Sequence, residues 1–391
     1  MDHSIIDRMN EDIIYLDHAA ATPIDSRVLS DMLPYFTELF YNPSSPYVQA
    51  VNVRRAYMTA KSRIGACIGA KGDEIILTAG ATESINLAFS GREGHVVTSA
   101  IEHHAVLEAA KRHEATLVTP NQDGMIEPES IRQALRPDTF LVSIALANHE
   151  LGTIQRLRDI SAVIDDERRR RQDASEETPI YLHTDASQGV GQIDVNVARL
   201  GVDMMTLNAA KMYGPKQVGL LWIASHVRIS PLIVGGGQEG GLRSGTENVA
   251  GAIGFARALE LATEHKNSET KRLGLLRDTL QSKLIEAFPQ AVVSGSMKRR
   301  LSGHLHISFP GVDAERIVFG LETLGVLVAT GSACAANKGT RSHVLVAIGM
   351  DDATADGSLR LTLGRLNDEE GIARAAAHII AVITAELERV A

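Results

Sequence analysis

Cysteine is scarce in this chain of 391 residues, which contains only Cys67 and Cys334. Two cysteines cannot build a disulfide framework, so we expect a reducing, cytoplasmic compartment. No run of about 18 uncharged apolar residues occurs, which argues against a membrane span, and the N-terminus has acids where a signal peptide has bases. With 39 Lys and Arg against 48 Asp and Glu, the formal net charge is −9. This balance argues against direct nucleic-acid binding.

What the chain does contain is a series of short apolar runs separated by amphipathic stretches. The runs are continuously apolar rather than alternating, so both faces of each strand should be covered. The β-α-β order predicts an α/β fold, a mostly parallel sheet flanked by helices. The predicted strands are residues 74–77, 95–100, 139–147, 180–184, 203–207 and 218–224, and the predicted helices between them are 103–113, 128–135 and 157–171.

The pattern changes after a long helical stretch at residues 248–264. The following segment, 265–274, is polar and predicts a boundary. The elements predicted beyond it are a helix at 274–287, strands at 304–308, 326–329 and 358–363, and helices at 313–323 and 367–389. Together they predict a smaller α+β domain of about 125 residues.

Two residues at predicted strand ends suggest chemistry. Lys211 follows an apolar strand, at the sheet edge where open α/β folds bind ligands, and a partly desolvated amine there could form a Schiff base. Asp185 follows another strand and could pair with a pyridinium nitrogen, the usual partner of such a lysine in pyridoxal phosphate chemistry. The alternatives are a solvated surface lysine and a helix N-cap, which is common for Asp.

Further candidates depend on their immediate neighbours. Residues 77–89 suggest a strand, a Gly-rich turn and a helix, so Ala81 and Thr82 would lie at a helix start that can hold phosphate; an ordinary capped helix is the alternative. Cys334 lies among small residues followed by Lys and Arg, a setting that lowers a thiol pKa. It could also be incidental. Cys67, among apolar neighbours, indicates a buried structural thiol.

Charged and imidazole side chains in apolar segments need partners. Arg360 within a strand requires an anion, either a substrate carboxylate or an internal salt bridge. His103 and His104 open a helix, and one of them could face a planar cofactor or simply cap the helix. His304 and His306 share a strand face, but no Cys or carboxylate stands at ligand spacing. We therefore predict no metal site.

Taken together, these residues belong to a set of motifs that runs through nearly the whole chain. On that set the chain resembles the NifS/IscS-type cysteine desulfurases of the class V aminotransferase family. The motifs are YLDHAAATP (15–23), YNPSSP (41–46), GATESINLA (80–88), IEHHAV (101–106), ANHELG (147–152), HTDASQ (183–188), KMYGPK (211–216), GGGQEGGLRSGTEN (235–248), ISFPGVDAE (307–315), TGSAC (330–334) and LRLTLGR (359–365).

The resemblance implies a homodimer of fold-type I. It implies a large pyridoxal 5′-phosphate-binding domain at residues 17–262 and a small domain at 1–16 and 263–391 that carries the cysteine loop. The implied site consists of Lys211 for cofactor attachment, His103 against its ring, Asp185 on the ring nitrogen, Gln188 on the ring hydroxyl, Ala81, Thr82 and Asn208 on the phosphate with Thr246 from the partner subunit, His149 and Arg360 for the substrate, and Cys334 as sulfur acceptor.

The implied activity is conversion of L-cysteine to L-alanine, with a persulfide on Cys334 that passes to an iron–sulfur scaffold or a tRNA-thiolation enzyme. The sequence departs from the family at four positions. Ala210 and Asn208 stand where the family usually has His and a small hydroxyl residue. His149 stands where it mostly has Asn, and Gly240 replaces a frequent Arg. Two alternatives therefore stay open: another pyridoxal phosphate reaction, such as selenocysteine lyase, and a non-catalytic partner subunit.

Overall fold

The computed structural model describes residues 13–330 and 341–390. Its strands form one large sheet and two smaller ones. They are β1 (Ile14–Tyr15), β2 (Ile75–Thr78), β3 (His95–Ser99), β4 (Glu114–Val118), β5 (Thr139–Ser143), β6 (Tyr181–Asp185), β7 (Met204–Asn208), β8 (Gly219–Ile223), β9 (Val292–Val293), β10 (His304–Ser308), β11 (Val326–Leu327), β12 (Ala329–Thr330) and β13 (Ser358–Thr362).

The helices range from single turns to one of 39 residues. They are α1 (Ser26–Met32), α2 (Pro34–Thr37), α3 (Val48–Ile68), α4 (Ala81–Ala88), α5 (His104–Ala110), α6 (Pro128–Ala134), α7 (Leu157–Asp173), α8 (Val197–Leu200), α9 (Val249–Ala287), α10 (Ala314–Thr323), α11 (His343–Ala347), α12 (Asp352–Asp356) and α13 (Glu369–Val390). Short 3₁₀ turns occupy Gly72–Glu74, Ala209–Lys211 and Glu239–Gly241.

The large sheet has the strand order β2-β8-β7-β6-β5-β3-β4. All neighbours pair in parallel except β8, which is antiparallel to both β2 and β7. The predicted mostly parallel α/β sheet is therefore confirmed. Strand β4 was not predicted, because most of its residues are exposed at the sheet edge and carry no apolar run. The strand predicted at 139–147 is shorter than expected and ends at Ser143.

The two faces of this sheet are covered by different helices. Val97, Val142 and Met205 face a core built with α3, α7 and the first half of α9. Their chain neighbours, such as Val96 and Leu141, face a second core built with α4 and α5. Successive side chains of a strand point to opposite faces, so burial on both faces explains why these strands are apolar throughout.

A smaller antiparallel sheet, β12-β13-β10-β9, forms a separate unit with α10, α13 and the second half of α9. In this unit β10 pairs with β13 so that His306 lies opposite Arg360. The short β1 pairs with β11 in parallel and places Ile14 and Leu16 in the core of this unit. The predicted α+β composition of the C-terminal part is confirmed by these elements.

The polar segment at residues 265–274, where a boundary was predicted, does not interrupt the helix, so the helices predicted at 248–264 and 274–287 are one. Helix α9 runs without interruption from Val249 to Ala287. Its buried residues up to Ala262 belong to the core of the large sheet, whereas those from Leu273 to Leu284 belong to the core of the small one. The polar stretch between them is a solvated helical segment, which a sequence without tertiary contacts cannot distinguish from a linker.

Candidate active site

A cavity of ≈350 Å³ opens at the carboxyl ends of the parallel strands. Strands β6 and β7 end here, and the segments that follow β3 and β5 complete the wall. Parallel strands bring their carboxyl ends to one edge, which is where α/β sheets bind ligands. The residues predicted for the site that line it are Ala81, Thr82, His103, His149, Asp185, Gln188, Asn208, Lys211 and Arg360.

Lys211 lies in the turn that follows β7 and is half-buried. Its Nζ donates to the backbone carbonyls of Ala19 and Ala20, at 2.7 and 2.6 Å. Burial lowers the pKa of the Lys211 ammonium, and the nearby Arg360 guanidinium lowers this pKa further. The alternative of a solvated surface lysine is therefore wrong. The amine can serve as a nucleophile or base nearer neutral pH than an exposed lysine could.

Asp185 is the last residue of β6, and its Oδ1 accepts the Ser187 amide at 2.9 Å. No helix starts at Asp185; in the part of the chain that the structure describes, the next helix begins at Val197. The helix N-cap alternative is therefore wrong. The bond to Ser187 fixes the carboxylate at the cavity wall and leaves its second oxygen for a cationic partner.

Two amides flank this carboxylate. Gln188 donates from Nε2 to the Ala19 carbonyl at 3.1 Å. Asn208, the last residue of β7, accepts the Ala210 amide on Oδ1 at 3.1 Å. Because the oxygen of Asn208 is occupied, its amide nitrogen is the group that remains for a ligand. The neighbouring Ala210 has only a methyl side chain and therefore offers no hydrogen-bond donor to a ligand.

Helix α4 begins at Ala81 on the rim of the cavity, directly after Gly80. The first turn of a helix leaves amide N–H groups without intrahelical partners and carries a positive partial charge. Gly219 at the start of β8 packs against the Gly80 backbone so closely that a Cβ there would lie 2.5 Å from the Gly80 carbonyl carbon. This contact fixes the turn that brings the start of α4, with Ala81 and Thr82, to the cavity; their binding of phosphate stays a prediction.

His103 caps a helix and also lines the cavity. Its Nδ1 accepts the Ala105 amide at 3.1 Å and caps α5, while its ring lines the cavity. Because Nδ1 accepts, the neutral ring carries its proton on Nε2. Surrounding protein atoms lower the pKa of His103, an effect that Asp185 opposes and Lys211 reinforces. The ring of His149 stands 5.4 Å away in an edge arrangement, and burial lowers its pKa well below the usual value.

Arg360 lies on β13 and reaches the cavity from the small sheet. Its Nη2 donates to Asp17 Oδ1 at 2.6 Å, with side chains only 6% and 18% exposed. Nη1 approaches the His149 carbonyl at 3.4 Å, and the buried Nε has no acceptor among the described residues. The structure thus contains the internal salt bridge, while the role of Arg360 in carboxylate binding stays a prediction.

Two buried glutamates beside the cavity were missed by sequence reasoning. Glu102 accepts the Ser99 hydroxyl at 2.7 Å, and burial raises its pKa to about 7. Glu150 accepts the Ser342 hydroxyl at 2.5 Å, and burial raises its pKa to about 8. The quoted motifs IEHHAV and ANHELG contain both residues, but nothing in the letters indicates that these carboxyls are enclosed.

Three further residues complete the placement of the predicted set. Thr246 is exposed in the Gly-rich loop and does not line the cavity of its own chain, so its predicted contact from a partner subunit stays a prediction. Cys334 lies outside the described residues. Cys67 packs half-buried against the main core, and burial raises its thiol pKa, in agreement with a structural role.

Across residues 13–330 and 341–390, no helix combines the length and apolar content that crossing a bilayer requires. Among the same residues, no three His, Cys, Asp or Glu side chains are grouped so that they could hold a metal ion.

Known proteins share this architecture. The chain is 41% identical over 371 residues to the cysteine desulfurase IscS of Dictyoglomus turgidum, across 92% of this chain and 91% of that protein. A solved NifS-like protein is 33% identical with a TM-score of 0.86, covering 95% of this chain and 99% of its own. A structure of SspA in complex with cysteine is 33% identical, with a TM-score of 0.76 and coverage of 89% and 98%. The family model described as Aminotransferase class-V matches residues 14–374, a range that contains every residue named for the cavity. The chain therefore belongs to the class V aminotransferase family.

Proposed function

We propose that the chain is a pyridoxal 5′-phosphate-dependent cysteine desulfurase, which converts L-cysteine to L-alanine and holds the sulfur as a persulfide on Cys334. The observation that carries the proposal is the half-buried Lys211 beside Asp185 in one cavity at the strand ends. The relatives named cysteine desulfurase and the structure of SspA with cysteine support the choice of reaction and substrate.

The donor set fits the cofactor. Pyridoxal phosphate brings an aldehyde for a lysine, an anionic phosphate and a ring nitrogen that is basic, and it supplies an electron-withdrawing ring that stabilises negative charge at the substrate Cα. Lys211 would hold the aldehyde carbon, Asp185 the ring nitrogen, and the α4 start with Asn208 the phosphate. His103 lies on the same cavity wall and would contact the ring, with Gln188 at the ring hydroxyl.

The chain's own residues then handle the protons. Lys211 Nζ takes the Cα proton of cysteine, and its lowered pKa keeps more of it in the amine form that this step needs. Arg360 would bind the substrate carboxylate, and it must share or exchange its bond to Asp17 to do so. His149 lies at the same wall and would contact the substrate. His103, neutral with its proton on Nε2, would pass a proton to substrate atoms.

The sulfur step balances without an external oxidant. The Cys334 thiolate attacks the substrate sulfur, an S–S bond forms, and the bond from sulfur to Cβ breaks. The electron pair of that bond remains with carbon, which receives a proton and becomes the methyl group of alanine. Cys334 is left as the persulfide.

Purified protein incubated with L-cysteine and a dithiol should produce alanine and sulfide. Cys334→Ser should abolish both products while the yellow cofactor absorbance persists, and Cys67→Ser, the matched control, should keep full activity. Full activity of Cys334→Ser would contradict the role of Cys334. Turnover of selenocysteine alone would indicate a selenocysteine lyase, and a wild-type spectrum without the cofactor band would indicate a non-catalytic subunit.

We further infer a homodimer in the cytoplasm that delivers sulfur to an iron–sulfur scaffold or a tRNA-thiolation enzyme, with the domain division at residues 17–262 against 1–16 and 263–391. Large apolar side chains on the surface support a partner subunit, since such patches mark interfaces. They are Leu33, Phe36, Phe40, Tyr47, Val48 and Val234, which are 47–78% exposed. Light scattering should give the mass of a dimer, and a monomer would contradict this inference.

A further inference from the structure

A second, smaller cavity adjoins the active-site cavity. Its volume is ≈70 Å³, and Ala19, Gln188 and Lys211 form part of the wall of both cavities. Further parts of its wall come from α9, from β10, from the end of β13 and from the loops that contain Gln192 and Tyr213. Lys211 therefore stands between two spaces, one of which the mechanism above does not use.

The second cavity extends from Lys211 toward the surface. Its outer wall includes His265 and Glu269 of α9 together with Arg365, and all three side chains are half-buried rather than enclosed. Its inner wall includes His18 and His304, which are 6% and 2% exposed. The cavity thus connects a solvated rim to the catalytic amine.

The inner wall carries polar nitrogens that lack protein partners. His18 Nδ1 bonds to the Thr362 carbonyl at 3.1 Å, but its Nε2 has no partner in the described part of the chain. Both ring nitrogens of His304 lack one as well. Burial lowers the pKa of His18 to about 4 and that of His304 to about 3, so both rings are neutral at physiological pH. A neutral imidazole presents one donor and one acceptor.

Water is the ligand that fits this cavity. One water needs about 10–15 Å³ of such a cavity and two to four polar neighbours, and the second cavity, at ≈70 Å³, is several times larger than this. Its wall includes the polar side chains of Gln188, Gln192 and Glu269, whereas the unpartnered nitrogens of His18 and His304 are closed off from it. A chain of a few water molecules would fit along the cavity and reach Lys211.

We propose that the second cavity is a proton conduit, a chain of water molecules that exchanges protons between Lys211 and solvent while substrate fills the active-site cavity. The polar side chains of Gln188, Gln192 and Glu269 line this path. The proposal rests on the proposed function, in which cofactor and substrate occupy the active-site cavity. Lys211 would then reach solvent only through the second cavity.

The exchange is a simple acid–base step. After Lys211 has taken a proton, an N–H bond of its ammonium breaks and an O–H bond forms on the adjacent water. Successive waters pass the proton to bulk solvent at the rim near His265 and Glu269, and a solvent proton returns by the same path. No electrons are transferred, and water is the sole co-reactant.

Filling the cavity tests this proposal. Ala262 of α9 lines it and does not line the active-site cavity, so Ala262→Leu would place a bulky side chain in the water path. Ala262→Ser is the matched control, because it leaves the space open. Both variants and wild type are given Cα-deuterated cysteine in ordinary water, and the alanine formed is analysed by mass spectrometry for deuterium at Cα.

An open conduit should wash the label out, so wild type and Ala262→Ser should give alanine with almost no deuterium. A blocked conduit should return some label, up to about one third, because the ammonium of Lys211 carries three equivalent hydrogens. Equal label in Ala262→Leu and Ala262→Ser would overturn the proposal. Absence of alanine from wild type would instead contradict the desulfurase function itself.

A second variant and a second measurement guard against misfolding. Leu273→Phe fills the cavity from about three turns further along α9, with Leu273→Met as its control, and should also retain label. A crystal structure of the wild-type protein should contain ordered water in the second cavity, within hydrogen-bond distance of a lining side chain such as Gln192 or Glu269, and this water should be displaced in Ala262→Leu. A dry cavity in wild type would overturn the proposal without reference to activity.

Discussion

Glu239 anchors the Gly-rich loop to the large sheet, and removing its carboxylate should be costly. It lies in the short 3₁₀ turn of that loop, and its side chain is 5% exposed. The carboxylate accepts from the Tyr57 hydroxyl, from Lys61 Nζ at 3.1 Å and from the Leu77 amide at 2.9 Å. Glu239→Ala leaves all three donors without their acceptor.

The size of the loss follows from burial. The Lys61 side chain is only 7% exposed, and leaving one member of a buried ion pair unpaired costs about 3–5 kcal/mol. Glu129→Ala provides the matched control, because Glu129 pairs with Arg132 at 3.4 Å on the surface, with side chains 65% and 46% exposed. Such exposed pairs contribute about 1 kcal/mol or less. Glu239→Gln should fall between the two, since it retains an acceptor but not the charge.

The fluorescence of Trp222 provides the measurement. Trp222 is the sole tryptophan of the chain, it is buried in β8, and it lies opposite Ile75 of β2, the strand that contains Leu77. Its fluorescence therefore reports unfolding of the sheet to which Glu239 is bound. In a urea titration followed by this fluorescence, the free energy of unfolding of Glu239→Ala should be about 3–5 kcal/mol lower than that of wild type. A loss no larger than that of Glu129→Ala would refute the reasoning.

Three further outcomes are expected. Borohydride reduction followed by mass spectrometry should detect no covalent cofactor adduct in Lys211→Ala. The control Lys216→Ala, in the same motif, should retain the adduct. An adduct in Lys211→Ala would contradict the assignment of Lys211 as the attachment site. Asn208→Ala should raise the Kd for pyridoxal phosphate in fluorescence titration about 10- to 100-fold, the effect of losing one hydrogen bond to a charged group. Asn208→Asp, which keeps the acceptor for Ala210 but not the donor, should also weaken binding, and unaltered binding would remove Asn208 from the phosphate site. Burial raises the pKa of Glu150 from 4.5 to about 8, so the folded chain keeps a proton that the unfolded chain releases, and wild type should lose stability relative to Glu150→Gln as the pH rises from 4.5 to about 8. Parallel pH–stability curves would contradict this.

The sequence predicts the large sheet well because its strands are buried on both faces. Continuous apolar runs identify β3, β6, β7 and β8, and parallel order then requires their chemically active neighbours to meet at one edge. Lys211 and Asp185 could be placed there from local patterns alone. Strand β4 escaped because it is an exposed edge strand, whose polar letters resemble a loop.

Contacts between distant segments could not be predicted in this way. The bond between Arg360 and Asp17 joins residues 343 positions apart, and no local pattern links them. The enclosure of Glu102 and Glu150 depends on side chains from several elements, so their raised pKa values appear only after folding. The uninterrupted helix α9 was missed because residues 263–272 are polar or exposed and carry no apolar stripe. The stretch 265–274 contains no proline and only one glycine, at its end, which is compatible with a continuous helix.

That helix has a mechanical consequence. With 39 residues at about 1.5 Å each, α9 is a rod about 58 Å long whose two halves are embedded in different cores. A rod resists twisting and bending far better than a loop does, so the small unit cannot swing freely about a hinge at this crossing. The proposed transfer of sulfur from the cavity to an acceptor must therefore depend on movement in other parts of the chain.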